Sequence, residues 1–132
     1  MFNYKKRRQY KYKLYSDVVY ETDYKLDNAY DNGLISISVN GLLTICAGYS
    51  WDGPSGPTLD TKNFMRGSLV HDALYQLMRE KILPQSAREE ADNILREICI
   101  KSGMSTFRAW YIYKGVRLAG ASAAKPDLLS AP

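Results

Sequence analysis

Histidine is almost missing from this chain: His71 is the one imidazole among 132 residues. Proton exchange by imidazole near neutral pH therefore has a single address. Cysteine is scarce too. Cys46 and Cys99 each lie in an apolar run, Leu42 to Ala47 and Ile94 to Ile100, without metal-like spacing. That excludes a cysteine framework and predicts two buried free thiols. No stretch approaches the ~20 apolar residues of a membrane span, and no internal repeat is found. Residues 1–16 are basic and tyrosine-rich and lack the apolar core of a secretory signal, so the expectation is a soluble protein kept in a reducing cytoplasm. With 45% hydrophobic residues, the chain is long enough for one compact domain and too short for two ordinary ones.

What is present begins with charge. Lys and Arg number 18 against 14 Asp and Glu, and the excess is concentrated in Lys5-Lys6-Arg7-Arg8, Lys11 and Lys13, with Tyr10, Tyr12 and Tyr15 interleaved. Such a basic arm (residues 1–13) can follow a phosphate backbone or a lipid surface, or can simply be a solvated end. Strand patterns follow. Val18, Tyr20, Thr22 and Tyr24 alternate with Asp17, Glu21 and Asp23, and Leu34 to Val39 alternates again after the turn at Asp31-Asn32-Gly33. Asn40-Gly41 then predicts a two-residue type I′ hairpin into Leu42 to Cys46. An antiparallel meander is expected over 14–47. Residues 48–61 hold three glycines and two prolines and predict a rigid Asp-Gly loop.

Helices are predicted over 62–120. Leu69, Val70, Ala73, Leu74, Leu77 and Met78 recur at helical spacing. Ser86 and Glu89 read as a capping box that opens a second helix with Ala87, Ala91, Ile94, Leu95 and Ile98. Lys101-Ser102-Gly103 ends it. A third helix starts near Ser105, with Phe107, Trp110, Tyr111 and Leu118 sharing one face, and Gly120 closes it. A small, polar, proline-punctuated tail fills 121–132. The fold class is α+β: an antiparallel meander followed by a three-helix segment.

The chemistry concentrates in Val70-His71-Asp72-Ala73-Leu74-Tyr75 and in Asp92. Two antiparallel helices joined near residues 80–85 place His71 and Asp92 level to within about one residue, or ~1.5 Å of rise. Tyr75, at i+4, shares the face of His71. A base, a carboxylate that orients it and a phenol that holds the carboxylate can converge. The competing reading is a satisfied polar pair that ties two helices together. Asp72 beside the histidine and Asp52 in the preceding loop, with loop carbonyls, would suit a hard cation such as calcium.

The loop Asp52-Gly53-Pro54-Ser55, then His71-Asp72-x-x-Tyr75, then Ala91-Asp92, resembles the catalytic core of small calcium-dependent secreted phospholipases of the A-two type, above all their bacterial and fungal branch. The resemblance implies His71 as the base that activates water, Asp72 and Asp52 as calcium ligands, Asp92 as the orienting partner and Tyr75 as its hydrogen-bond donor. The chain departs from true phospholipases in lacking the disulfide framework, in carrying Pro54 and Pro57 where a glycine-rich calcium loop belongs, and in showing no evident lipid-facing helix. A longer stretch, roughly 40–120, resembles a phage and prophage family known only as a domain of unknown function. Its pattern is matched by Gly48 to Ser55, His71 to Tyr75, Ala91-Asp92 and Val116-Arg117-Leu118-Ala119-Gly120. That resemblance implies a phage origin.

Three functions are open on this reading. One is a phage virion or assembly component on a phospholipase-like scaffold, partnered by other virion proteins or by itself; the basic arm and the tail look disordered in isolation and are ordered most simply by a partner. The second is a calcium-dependent esterase or phospholipase-like hydrolase acting on host-envelope lipids. The third, with the weakest support, is a nucleic-acid-binding accessory protein using Lys5 to Lys13. The expected location is the host cytoplasm on synthesis, with incorporation into the virion afterwards.

Overall fold

The computed structural model describes residues 12–51 and 62–125. The chain divides into two compact units, Met1–Thr58 and Leu59–Pro132. Among the described residues the first holds only strands and the second only helices, an α+β protein. No helix among them is long and apolar enough to cross a membrane.

In the first unit, β1 (Tyr12–Lys13), β2 (Val18–Glu21), β3 (Tyr30–Asp31), β4 (Ile35–Ile37), β5 (Leu42–Ile45) and β6 (Ser50–Trp51) pair antiparallel throughout. β3, β4 and β5 form a meander, and β2 joins its far edge beside β5, giving the order β2-β5-β4-β3. Period-2 alternation explains the burial. Ile35 faces Ile45 and Ile37 faces Leu43 across the ladder, all four fully buried, while Val19, Glu21 and Leu42 point outward.

The Asn40-Gly41 hairpin forms, but not as a type I′ turn. Only Gly41 takes positive φ (+92°); the Gly41 amide bonds to the Ser38 carbonyl, and the Ser38 amide to the Leu42 carbonyl. This is a three-residue connection, a turn followed by a glycine bulge. The glycine is also required for space. A Cβ there would lie 2.6 Å from Thr22 Oγ1 and 2.5 Å from the Tyr24 carbonyl, and Thr22 Oγ1 donates to the Gly41 carbonyl.

The strands extend past the expected boundaries. Ser50–Trp51, inside the segment read as loop, pairs with Tyr12–Lys13 at the end of the basic arm, and the Tyr12 and Trp51 rings lie 5.6 Å apart. Aromatic residues of high strand preference override the loop signal of their neighbours. The rest of the arm (1–11), the remainder of the Asp-Gly loop (52–61, including Asp52) and residues 126–132 lie outside the described residues.

The second unit comprises α1 (Lys62–Arg79), α2 (Arg88–Lys101), α3 (Thr106–Ala119) and a single turn, α4 (Ala121–Ala124). Leu69, Val70, Ala73, Leu74, Leu77 and Met78 of α1 are buried, as are Ala91, Ile94, Leu95 and Ile98 of α2. A second cluster joins Phe64, Leu95, Cys99, Met104, Ala109 and Ile112, with Val116 packed against it. α1 ends in a Schellman turn, with Ile82 bonding back to Leu77 and Lys81 to Met78, and Lys81 takes the left-handed φ of 66° usual for glycine.

The capping box does not form. Ser86 lies inside a 3-10 turn, Gln85–Ala87, and α2 starts after it with Ala87 as N-cap and no side-chain cap. The chain is already turning at Gln85–Ala87, with the Ala87 amide bonded to the Pro84 carbonyl, so Ser86 does not take the extended conformation of an N-cap. The segment read as tail begins with α4, fastened by Gln85 Nε2 donating to the Ala124 carbonyl at 2.6 Å. Both cysteines are free; Cys99 is buried, Cys46 only half so.

Candidate active site: a buried carboxylate shared by three helices

Asp92 sits on the inner face of α2 and is fully buried, an expensive position for a charge unless its oxygens are taken up. They are. From α1, His71 Nε2 lies 2.7 Å from Oδ1, and the Tyr75 hydroxyl donates to the same oxygen at 2.7 Å. His71 and Tyr75 are one helical turn apart, and their rings tilt against each other with centroids at 4.2 Å. From α3, Arg117 Nη1 donates to Oδ2 at 2.8 Å. Arg88, one turn before Asp92 on α2, brings a second guanidinium to 3.6 Å from Oδ2.

Arg88 does a second job. Its Nη1 donates to the Val116 carbonyl at 3.3 Å, which also accepts from the Gly120 amide, and its Nη2 donates to the Arg117 carbonyl at 3.4 Å. The last turn of α3 is thereby fixed over the start of α2, which holds Arg117 in reach of Asp92. Gly120, just past that turn, has an ordinary φ of −84°. It is needed for space instead: a Cβ would lie 2.5 Å from the Tyr75 hydroxyl oxygen. The closing role expected of this glycine is a close approach to the phenol, not a left-handed cap.

Burial pushes the Asp92 carboxyl up, but the hydrogen bonds from His71 and Tyr75, the attraction of His71 and the bond from Arg117 outweigh it and hold the group below the usual carboxylate range. Asp92 is therefore an anion and can only accept. Tyr75 moves the other way: burial, then its bond to Asp92, raise the phenol well above its ordinary value against the opposing pull of Arg88. It is a fixed donor. Because an ionised carboxylate has no proton to give, Nε2 carries a proton facing Asp92, and in the neutral form of the ring the lone pair is on Nδ1. The residue is 8% exposed.

The structure thus brings together His71, Asp92 and Tyr75 as the level-helix argument expects, and adds Arg88 and Arg117, which sequence reasoning did not place at the site. Arg88 at i−4 from Asp92 was a readable signal. Arg117 was marked only as part of the Val116–Gly120 stretch that carries the family resemblance, and nothing in local spacing says which residue of a third helix will reach a given carboxylate. Asp72 is half-buried on α1, and Asp52 lies outside the described residues. Among the described residues no three His, Cys, Asp or Glu side chains are grouped so as to hold a metal ion.

A family model described as "Protein of unknown function (DUF1353)" matches residues 38–116. The chain belongs to this family. The matched segment runs from the β4–β5 hairpin into α3 and takes in His71, Tyr75, Arg88 and Asp92; Arg117 falls one residue beyond it. No curated protein and no solved structure gave a match.

Proposed function

We propose that this member of the DUF1353 family is a hydrolase of esters in which His71 is the general base and Asp92 the residue that orients it. The observation that carries the reading is the 2.7 Å contact of Nε2 with a buried, ionised carboxylate, which assigns the lone pair to Nδ1. A water proton passes to Nδ1 as the water oxygen bonds to the ester carbonyl carbon. The same proton then goes to the departing alkoxide as the C–O bond breaks, leaving acid and alcohol. Tyr75, Arg88 and Arg117 act through Asp92: they keep it charged and in place while the imidazole gains and loses its proton. The phospholipase resemblance points to host-envelope lipids as the ester class. In its calcium-dependent form Asp72 would be a ligand of the ion, whose charge would favour the oxyanion.

The test is turnover of phospholipid vesicles and of a chromogenic carboxylic ester, with and without added calcium. His71→Ala should lower turnover by about 10²–10⁴-fold while circular dichroism stays native. Turnover that is undetectable in the intact protein, or equal in the variant, would discard the enzyme reading.

A second reading rests on the completeness of the Asp92 network. A carboxylate on one helix bonded by two others also works as a staple with no reaction to perform, which suits a phage virion or assembly component that keeps a phospholipase-like scaffold. Here His71→Ala lowers stability and there is no turnover to lose.

A further inference from the structure

The large apolar residues of α3 are on its outside. Ala109 and Ile112 point into the helical core, whereas Phe107 is 73% exposed, Trp110 46%, Tyr111 68% and Leu118 86%. At i, i+3, i+4 and i+11 these four form one stripe along the helix, opposite the buried residues, with Lys114 in its middle. The Phe107 and Trp110 ring centroids are 6.2 Å apart, and Lys114 Nζ stands 5.9 Å from the Trp110 ring. A continuous exposed stripe of this kind marks a binding surface rather than scattered surface hydrophobics.

Charge indicates the occupant. From Ile98 to Lys125 the chain has no acidic residue, and it carries Lys101, Arg108, Lys114, Arg117 and Lys125. Arg117 is committed to Asp92; Lys101, Lys114 and Lys125 are exposed. Aromatic rings with the Lys114 ammonium beside them and aliphatic and phenyl groups at the crest, in a stretch free of acidic residues, suit the headgroup boundary of an anionic bilayer: the rings lie at headgroup depth, Leu118 and Phe107 reach the acyl chains, and Lys114 meets a lipid phosphate. A second copy fits worse, because two such stripes packed face to face bury Lys114 against its own image. A nucleic-acid strand fits worse as well, since its bases stack on rings and gain nothing from the residue most exposed here, an aliphatic leucine.

We propose that the α3 stripe Phe107–Trp110–Tyr111–Leu118, with Lys114, docks this protein on an anionic lipid surface. The proposal concerns binding and holds whether or not His71 turns over an ester.

The test is flotation of the full chain with phosphatidylcholine vesicles and with vesicles also containing phosphatidylglycerol. Binding to the second kind only, weakened by salt, is expected, with a blue shift of Trp110 emission in a Trp51→Phe background. Phe107→Ser/Leu118→Ser should cut the partition coefficient by about tenfold or more at an unchanged melting profile, and Lys114→Glu should cut it less. Absence of binding to the anionic vesicles overturns the proposal. So does undiminished binding of the double variant, which would transfer lipid contact to the basic arm of residues 1–13. Without vesicle binding, a concentration-dependent dimer or a polynucleotide complex abolished by the double variant would assign the stripe to a second copy or to nucleic acid.

Discussion

Ala109, Ile112 and Val116 line one side of α3 and pack with Phe64, Leu95 and Met104, while Phe107, Trp110, Tyr111 and Leu118 line the other and meet solvent. The inner side is made of small and medium residues, yet it is the side that holds the helix, helped by Arg117 on Asp92 and by Arg88 on the terminal carbonyls. The outer side carries more apolar area and adds little to the fold. Hydrophobicity of a residue is thus no guide to what it contributes here. A buried charge secures this helix, and its bulky aromatics are available for something else.

The comparison is broken most severely at Asp92. Asp92→Ala leaves His71, Tyr75 and Arg117 without their acceptor and should cost about 3 kcal/mol or more, read as a lower urea midpoint. The same carboxylate sets an acid limb. Its folded pKa lies below the unfolded value of 3.8, so its contribution is complete above that value and fades as the pH falls through the folded one. Urea midpoints measured from pH 6 downward should fall in the acid range, and Asp92→Asn, though less stable at neutral pH, should flatten that fall. An unchanged acid limb in Asp92→Asn would mean that other carboxylates control it.

Glycine gives a gentler contrast within α3. Gly120→Ala forces a methyl group against the Tyr75 hydroxyl and should cost about 1–3 kcal/mol. Gly115→Ala, where a Cβ meets nothing within 4 Å on the outer side, should stabilise by about 0.5–1 kcal/mol. Thermal melts of the two variants should shift in opposite directions; shifts of one sign would mean that the two sides do not differ as described. The smallest effect is expected at the crest of the stripe. Phe107→Ser/Leu118→Ser should change stability by less than about 0.5 kcal/mol by urea unfolding, because both side chains stay largely in water when the helix folds.

The meeting of His71, Tyr75 and Asp92 was legible because it depends on two regularities, the i+4 repeat of a helix and the level pairing of a short helical hairpin. The alternation that buries Ile35, Ile37, Leu43 and Ile45 was legible for the same kind of reason, a period of two. Legibility failed where a third partner decides. The Asn40-Gly41 turn took a bulged form because the Gly41 carbonyl accepts from Thr22, a neighbour nineteen residues away. Ser86 lost its capping role to the 3-10 turn that encloses it. Phe107, Trp110, Tyr111 and Leu118 were rightly placed on one face, but periodicity reports that a face exists and not whether it turns inward.

The second oxygen of Asp92 has a consequence for cooperativity. The pair α1–α2 can satisfy Oδ1 by itself through His71 and Tyr75, but Oδ2 receives its short hydrogen bond only once α3 is seated and Arg117 arrives. A hairpin that closed without α3 would leave Oδ2 with only the longer 3.6 Å contact to Arg88 and no short hydrogen bond, so intermediates with α3 detached are penalised. The three helices should therefore open together, and the slowest-exchanging amides of α1, α2 and α3 should share one opening free energy, as a single foldon whose latch is an arginine.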